Sequence, residues 1–217
     1  MTLAAFVCGA MLTGCGGGGS KSGLKKNEFF GNLPRIHADY ALQVKADKEA
    51  NEKRGEKLLK SGNFNKMMTE AAKMEKEEKE RDAKFKEKLE AEEAKVTGTA
   101  IPFAFSSELQ ASDPHYTIDA VMVENSQYCF VVIASKIKRN FVGTRSIEFG
   151  YRLIAKDGST IKAEFVEMYG IGENEPKSFC FSAFRNLAHA EAMADFASVE
   201  FITAAEANAL RGDARVK

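Results

Sequence analysis

Four cysteines carry most of the reactive side-chain chemistry available to this chain of 217 residues. Cys129 and Cys180 lie in segments of alternating apolar residues, and each is flanked by aromatic residues. In an oxidising compartment such a pair can form a disulfide, and closing a loop of about 50 residues stabilises by about 4 kcal/mol in the chain-entropy model. The alternative, two buried thiols that act as small apolar side chains, stays open. No C-x-x-C motif occurs, so no redox centre is predicted.

The remaining polar side chains predict neither a catalytic site nor a metal site. The three histidines are His37, His115 and His189. They are far apart in the sequence and have no further ligands at metal-binding spacing. No G-x-S-x-G frame surrounds a serine, and the glycines at 16–19 do not follow a strand. We therefore predict no catalytic residue, no metal and no cofactor.

The N-terminal residues 2–14 are apolar or small, and none is charged. A segment this short cannot cross a bilayer as a helix and is typical of the apolar part of a secretory signal. It ends in Leu12-Thr13-Gly14-Cys15, which is followed by four glycines and a serine. This sequence resembles the lipobox of bacterial lipoproteins, whereas Cys8 has no such box before it.

The resemblance implies that residues 1–14 are a signal peptide that is cut between Gly14 and Cys15. It further implies that the Cys15 sulfur receives diacylglycerol and that the new amine is acylated, as with palmitate. The lipid bilayer is then a partner of the mature chain, which belongs to the cell envelope. Because Gly16 rather than Asp follows the cysteine, the resemblance implies sorting to the outer membrane, facing the periplasm or the cell surface. Such signals begin with a basic residue, and a start site further upstream would explain why the first one here is Lys21.

Charge and composition exclude several classes of protein. The chain has 31 basic and 31 acidic residues, and this balance argues against a nucleic-acid-binding protein. It contains no run of 18 apolar residues, so no spanning helix is predicted. Its 44% hydrophobic content suffices for one domain with an appendage.

Residues 15–33 are predicted to form the lipidated cysteine and a flexible linker, because they are rich in Gly, Ser and Lys. Phe29 and Phe30 are the apolar exception within this segment. They could enter the lipid or pack against the first helix.

Residues 34–95 are predicted to form a charged helical arm. Pro34 suits a first helical turn, Gly62 suits a C-cap, and Asn63 suits a new N-cap. We expect a bent helix or a helical hairpin folded at Gly62; an extended rod or an oligomeric coiled coil is the alternative. The apolar stripe expected to pack between the two helices comprises Tyr40, Val44, Leu58, Leu59, Phe64, Met67 and Met68.

Period-two alternation of apolar residues recurs through residues 96–217. It predicts strands at 101–105, 116–122, 129–134, 147–153, 161–165, 179–183 and 199–203, and helical stretches at 186–196 and 204–210. The predicted fold class is therefore α+β, with the charged helical arm followed by an antiparallel immunoglobulin-like β-sandwich. A small curved sheet with helices packed on it is the second possibility.

These observations predict a membrane-anchored bacterial envelope lipoprotein. Its mature part is expected to be a non-catalytic module that binds proteins or glycans, with no nucleic acid among its partners. Two alternatives remain open: a structural spacer that oligomerises through its helices, and an enzyme whose site has no recognisable motif.

Overall fold

The computed structural model describes residues 21–112, 114–135, 138–139 and 145–216. The predicted signal peptide, including Gly14, and the predicted lipidation site Cys15 lie outside these residues. The described chain is a mixed α+β structure in which two long helices precede two largely antiparallel sheets. None of the helices in this part of the chain is long and apolar enough to span a membrane.

The two long helices begin and end at the caps that the sequence predicts. Helix α1 spans Leu33–Ser61, and helix α2 spans Phe64–Val96. Gly62 ends α1 with a left-handed φ of 61°, which costs glycine little because it has no Cβ. The Asn63 side chain accepts a hydrogen bond from the backbone N–H of Lys66 and so satisfies a free donor of α2.

Helices α1 and α2 fold back on each other as a hairpin. The Tyr40 ring stacks on Phe85 with centroids 3.9 Å apart, and the Tyr40 hydroxyl donates to Asp82 Oδ1 at 3.0 Å. Nearer the turn, Arg81 Nη1 lies 3.0 Å from Asp47 Oδ2. Contacts between the start of α1 and the end of α2 require an antiparallel pair. The chain therefore has the predicted hairpin rather than an extended rod.

The remaining elements follow α2 along the chain. The strands are β1 Phe103–Phe105, β2 Tyr116–Glu124, β3 Gln127–Ala134, β4 Lys138–Arg139, β5 Arg145–Ala155, β6 Thr160–Tyr169, β7 Pro176–Ser182 and β8 Phe196–Ile202. The short helices are α3 Ser107–Ala111, α4 Leu187–Met193 and α5 Ala204–Leu210. Period-two alternation located the long strands, whereas it missed α3 and β4, which are too short to show a period.

Among the described residues the strands form two separate sheets. In the first, β5 lies between β6 and β8, β1 adds parallel to β8, and β4 pairs with the start of β5. In the second, β3 lies between β2 and β7, and both pairings are antiparallel.

The two sheets face each other across a core of aromatic rings. Phe130 of β3 lies at its centre, with its ring centroid 5.0 Å from those of Tyr151 and Phe201 in the first sheet. Phe181 of β7 lies 5.3 Å from Phe130. Such aromatic pairs contribute about 0.5–1.5 kcal/mol each beyond the area that they bury. The period-two alternation of apolar residues in the sequence thus corresponds to the face of each sheet that points into this core.

The segment before α1 corrects the prediction of a flexible linker over residues 15–33. Asn27 is fully buried; its Nδ2 donates to the carbonyls of Ala194 and Phe196, and its Oδ1 accepts from the N–H groups of Phe29 and Phe30. Both phenylalanine rings pack edge-on against Phe196. The linker prediction is therefore wrong from Asn27 onward, because a buried amide and two core rings hold this segment to the β-structure.

Asn27→Ala should lower the free energy of unfolding by about 2–4 kcal/mol, because buried backbone groups would lose their partners. Urea unfolding would measure this change. Asn65→Ala is the matched control, since the Asn65 side chain is exposed and should change stability little. Equal stability of the two variants would contradict the role given to Asn27.

Candidate functional site

Cys129 and Cys180 are joined by a disulfide in the structure, with the two sulfur atoms 2.03 Å apart. They are directly opposite each other in the register of β3 and β7. Their neighbours Phe130 and Phe181 point into the aromatic core, so the disulfide lies on the other face of this sheet. The pair crosslinks two adjacent strands.

The three histidines have different environments. His37 is partly buried at the base of the arm, His115 is exposed, and His189 is buried in α4. Within the described ranges, no group of three or more His, Cys, Asp or Glu side chains is arranged to hold a metal ion.

A buried chain of polar side chains runs between the two sheets. The hydroxyls of Tyr128 and Tyr151 lie 2.8 Å apart, and Tyr151 donates to Glu164 Oε2 at 2.6 Å. Lys162 Nζ lies 2.7 Å from Glu164 Oε1, and only 3% of the Lys162 side chain is exposed. Burial lowers the pKa of Lys162 despite the opposing effect of Glu164. Burial alone would raise the pKa of Glu164, but the bonds from Lys162 and Tyr151 outweigh it and hold this pKa low.

His189 lies next to this polar chain. Its Nδ1 is 2.8 Å from Asn186 Oδ1, an acceptor, so Nδ1 carries the proton. Burial is the largest cause that lowers the pKa of His189, and the positive charges of Lys162 and Arg185 lower it further. The ring is therefore neutral. These residue types occur in acid–base catalysis. The side chains of Tyr128, Tyr151 and Lys162 are buried, whereas the Glu164 side chain is 22% exposed. Most of the cluster therefore lies within the core.

A cleft of about 400 Å³ opens beside α3 and α5. Its polar side chains already bind one another: Ser106 donates to Glu206, and Arg152 pairs with Glu200. These polar groups of the cleft therefore already have hydrogen-bond or ion-pair partners within the protein.

The turn of the helical hairpin differs from the rest of the described surface. Leu59, Phe64 and Met68 are 68%, 70% and 59% exposed, which is more than any other large hydrophobic side chain in the described residues. Phe64 and Met68 are four residues apart on α2 and share one face. An exposed apolar group of this kind is typical of an interaction site.

We define the tip of the arm as residues 53–73. Its basic residues are Lys53, Arg54, Lys57, Lys60, Lys66 and Lys73, and its acidic residues are Glu56 and Glu70. The tip therefore has a net charge of +4, whereas the rest of the segment 34–95 has ten basic against thirteen acidic residues and a net charge of −3. Basic charge is concentrated where the apolar side chains are exposed.

The opposite end of the arm, its base, is held together by a buried carboxylate. Glu92 of α2 is 5% exposed, and its Oε1 accepts from the backbone and side-chain N–H groups of Asn32 at 2.7 and 2.9 Å. Lys95 pairs with the other carboxylate oxygen at 2.9 Å. Burial works to raise the pKa of Glu92, but the bonds from Asn32 and Lys95 lower it overall. The carboxylate thus joins the end of α2 to the start of α1.

His37 links the base of the arm to the β-structure. Its ring stacks on Phe184 with centroids 4.6 Å apart and meets Phe85 edge-on at 5.5 Å. Its Nε2 lies 3.2 Å from the hydroxyl of Ser126, which donates to Glu93. Burial lowers the pKa of His37 to about 4, so the ring is neutral at pH 7.

The sequence prediction of the arm is wrong for part of its apolar stripe. Leu58 is buried between the helices, and Leu59 therefore points about 100° away from the helix interface. Phe64 is the first residue of α2 and lies next to the last turn of α1. The rest of α1 extends away from it towards the base, so α1 covers little of its side chain. The sequence signal that could have identified the tip is the excess of basic residues around Gly62.

Glu164→Gln should lower the free energy of unfolding by about 3 kcal/mol at pH 7, because it leaves the buried ammonium of Lys162 without its counterion. The double variant Lys162→Met, Glu164→Gln should recover at least half of this loss. Chemical denaturation measures both. Glu75→Gln is the control, since Glu75 forms an exposed ion pair with Lys79 and should have no measurable effect. If the double variant were less stable than the single one, the buried pair would not have this role.

His37 should make the protein less stable in acid. Its pKa is about 4 in the folded chain against 6.5 as the ordinary value, so the unfolded chain binds the proton more strongly. The His37 contribution is fully present above pH 6.5 and is lost as the pH falls towards 4, by about 2 kcal/mol between pH 7 and pH 4.5. His37→Gln should remove this part of the pH dependence in denaturant unfolding, and the control His115→Gln should retain it. Identical pH profiles for wild type and His37→Gln would contradict this assignment.

Comparison with known proteins adds no relative from which a function could be transferred. No protein family, no curated protein and no solved structure matches the chain. What the protein does therefore has to be inferred from the N-terminal box, the arm and its exposed tip.

Proposed function

We propose that this chain is a bacterial envelope lipoprotein, anchored through acylated Cys15, whose mature part is a non-catalytic binding module. The observation that carries the binding role is the tip, where apolar side chains and basic charge are exposed together. The sequence Leu12-Thr13-Gly14-Cys15 supports the anchor through its resemblance to a lipobox. Gly16 supports sorting to the outer membrane.

The anchor and the folded part are close together along the chain. The backbone N–H of Ser22 donates to Asp39 of α1 at 2.6 Å, and Ser22 is seven residues after Cys15 in the sequence. Seven extended residues span at most about 25 Å. An acylated Cys15 would therefore hold the base of the arm near the bilayer.

We further propose that the β-structure is a sandwich of immunoglobulin-like kind. The aromatic core between the two sheets supports a sandwich, and the parallel pairing of β1 with β8 adds one strand at an edge. In this proposal the sandwich is the rigid body from which the arm extends, and its partners are envelope proteins or glycans as well as the bilayer.

Two observations favour binding over the alternative functions. Towards its base, apolar residues of the arm pack within the hairpin, as Tyr40 does against Phe85, and so are not free to oligomerise as a structural spacer would require. Most of the titratable cluster around Lys162 is buried between the two sheets, and only Glu164 is partly exposed, which disfavours an enzyme at this position.

Cys15→Ser should abolish lipid attachment. The wild-type chain, expressed in a bacterium, should incorporate labelled palmitate and partition into the detergent phase, and Cys15→Ser should lose both properties. Cys8→Ser is the matched control within the same segment and should retain them. Undiminished labelling of Cys15→Ser would overturn the proposed anchor.

A further inference from the structure

We propose that the tip of the arm is a second membrane-contact site, at which Leu59, Phe64 and Met68 enter the interface of an anionic bilayer. The neighbouring lysines would bind lipid phosphate groups. This inference rests on the proposed lipid anchor, because it places the tip on the same membrane to which Cys15 is attached.

The apolar side chains have the exposure and position that such a contact needs. Phe64 and Met68 share one face of α2, and Leu59 lies three residues before the turn at Gly62. The polypeptide reverses direction within Gly62 and Asn63, so the apolar group lies at a narrow, convex end. A fluid bilayer deforms around a convex end, whereas a folded partner would need a cavity of matching shape.

The charge at the tip complements anionic headgroups. Lys57, Lys60 and Lys66 are exposed and lie within three residues of the apolar side chains. None of them forms an ion pair with an acidic side chain in the part of the chain that the structure describes. Each lysine near an anionic surface strengthens association by about fivefold at moderate salt. Further along the arm, by contrast, Lys76, Lys79 and Lys86 each pair with a glutamate.

The arm is long enough to bring both contacts to one bilayer. From Asp39, which binds Ser22, to Ser61 at its end, helix α1 rises about 33 Å, so the tip lies about this far from Ser22. An arm lying along the membrane surface would place the lipid anchor at one end and the tip at the other. Two attachment points would fix the orientation of the β-structure, which one lipid anchor cannot do.

The test uses the acylated, mature protein reconstituted into vesicles, with a polarity-sensitive fluorophore on Ser61→Cys. In this variant the other cysteines of the mature chain are acylated or disulfide-bonded, so the new thiol is the one that reacts. In vesicles of phosphatidylcholine and phosphatidylglycerol, the emission should shift to the blue and brominated lipids should quench it. In pure phosphatidylcholine, or at 1 M NaCl, both signals should fall at least tenfold.

Two variants separate the apolar from the basic contribution. One is the double variant Phe64→Ser, Met68→Ser, and the other is the triple variant Lys57→Gln, Lys60→Gln, Lys66→Gln. Each should reduce quenching at least tenfold. The matched controls are Phe165→Ser, which removes an exposed aromatic ring from β6, and Lys84→Gln, Lys86→Gln, Lys88→Gln, which removes the same charge elsewhere on α2. Both controls should retain full quenching.

Three outcomes would overturn the inference. One is an anchored protein whose tip fluorophore stays in water in anionic vesicles; another is quenching that persists in both tip variants. The third is a blue shift on adding polyglutamate but not anionic vesicles, which would assign the tip to an acidic protein surface. A protein that does not enter vesicles because it carries no lipid would instead refute the proposed anchor, so the two failures are distinguishable.

Discussion

The architecture depends on the attachment of the helical arm to the β-structure through a few buried polar groups. The amide of Asn27 and the carboxylate of Glu92 bind backbone N–H and carbonyl groups at the base of the arm. A two-helix hairpin of this charge has little core of its own, and most helical stability in proteins comes from tertiary packing. The base therefore determines where α1 begins and α2 ends, and in which direction the tip extends.

Apolar surface is distributed unevenly along the molecule. Phenylalanine and tyrosine rings fill the space between the sheets, and Phe29 and Phe30 extend this core to the start of α1. Towards the tip, exposed ion pairs such as Lys79 with Glu75 replace apolar packing, and because solvent screens such pairs they contribute little to stability. Exposed leucine, phenylalanine and methionine at the end of such an arm do not serve its stability, which is why we assign them a binding role.

Local signals made several elements predictable from the sequence. Gly62 and Asn63 marked the turn of the hairpin because their capping chemistry is local, and alternation marked the long strands because one face of each sheet is buried. The packed segment at Asn27 was missed, since its partners Ala194 and Phe196 lie about 170 residues away along the chain. Sequence reasoning left the pairing of Cys129 with Cys180 open for the same reason, because strand register decides it.

We infer that the arm is held rigidly at its base, so that its tip projects in a fixed direction. Spin labels on Lys60→Cys at the tip and Glu108→Cys on α3 would measure the distance between arm and β-structure by pulsed electron paramagnetic resonance. Both side chains are exposed, and Glu108 makes no hydrogen bond that the label would break in the described structure. A rigid base predicts one narrow distance distribution, which should broaden in Asn27→Ala. A broad distribution in the otherwise wild-type chain would contradict the claim.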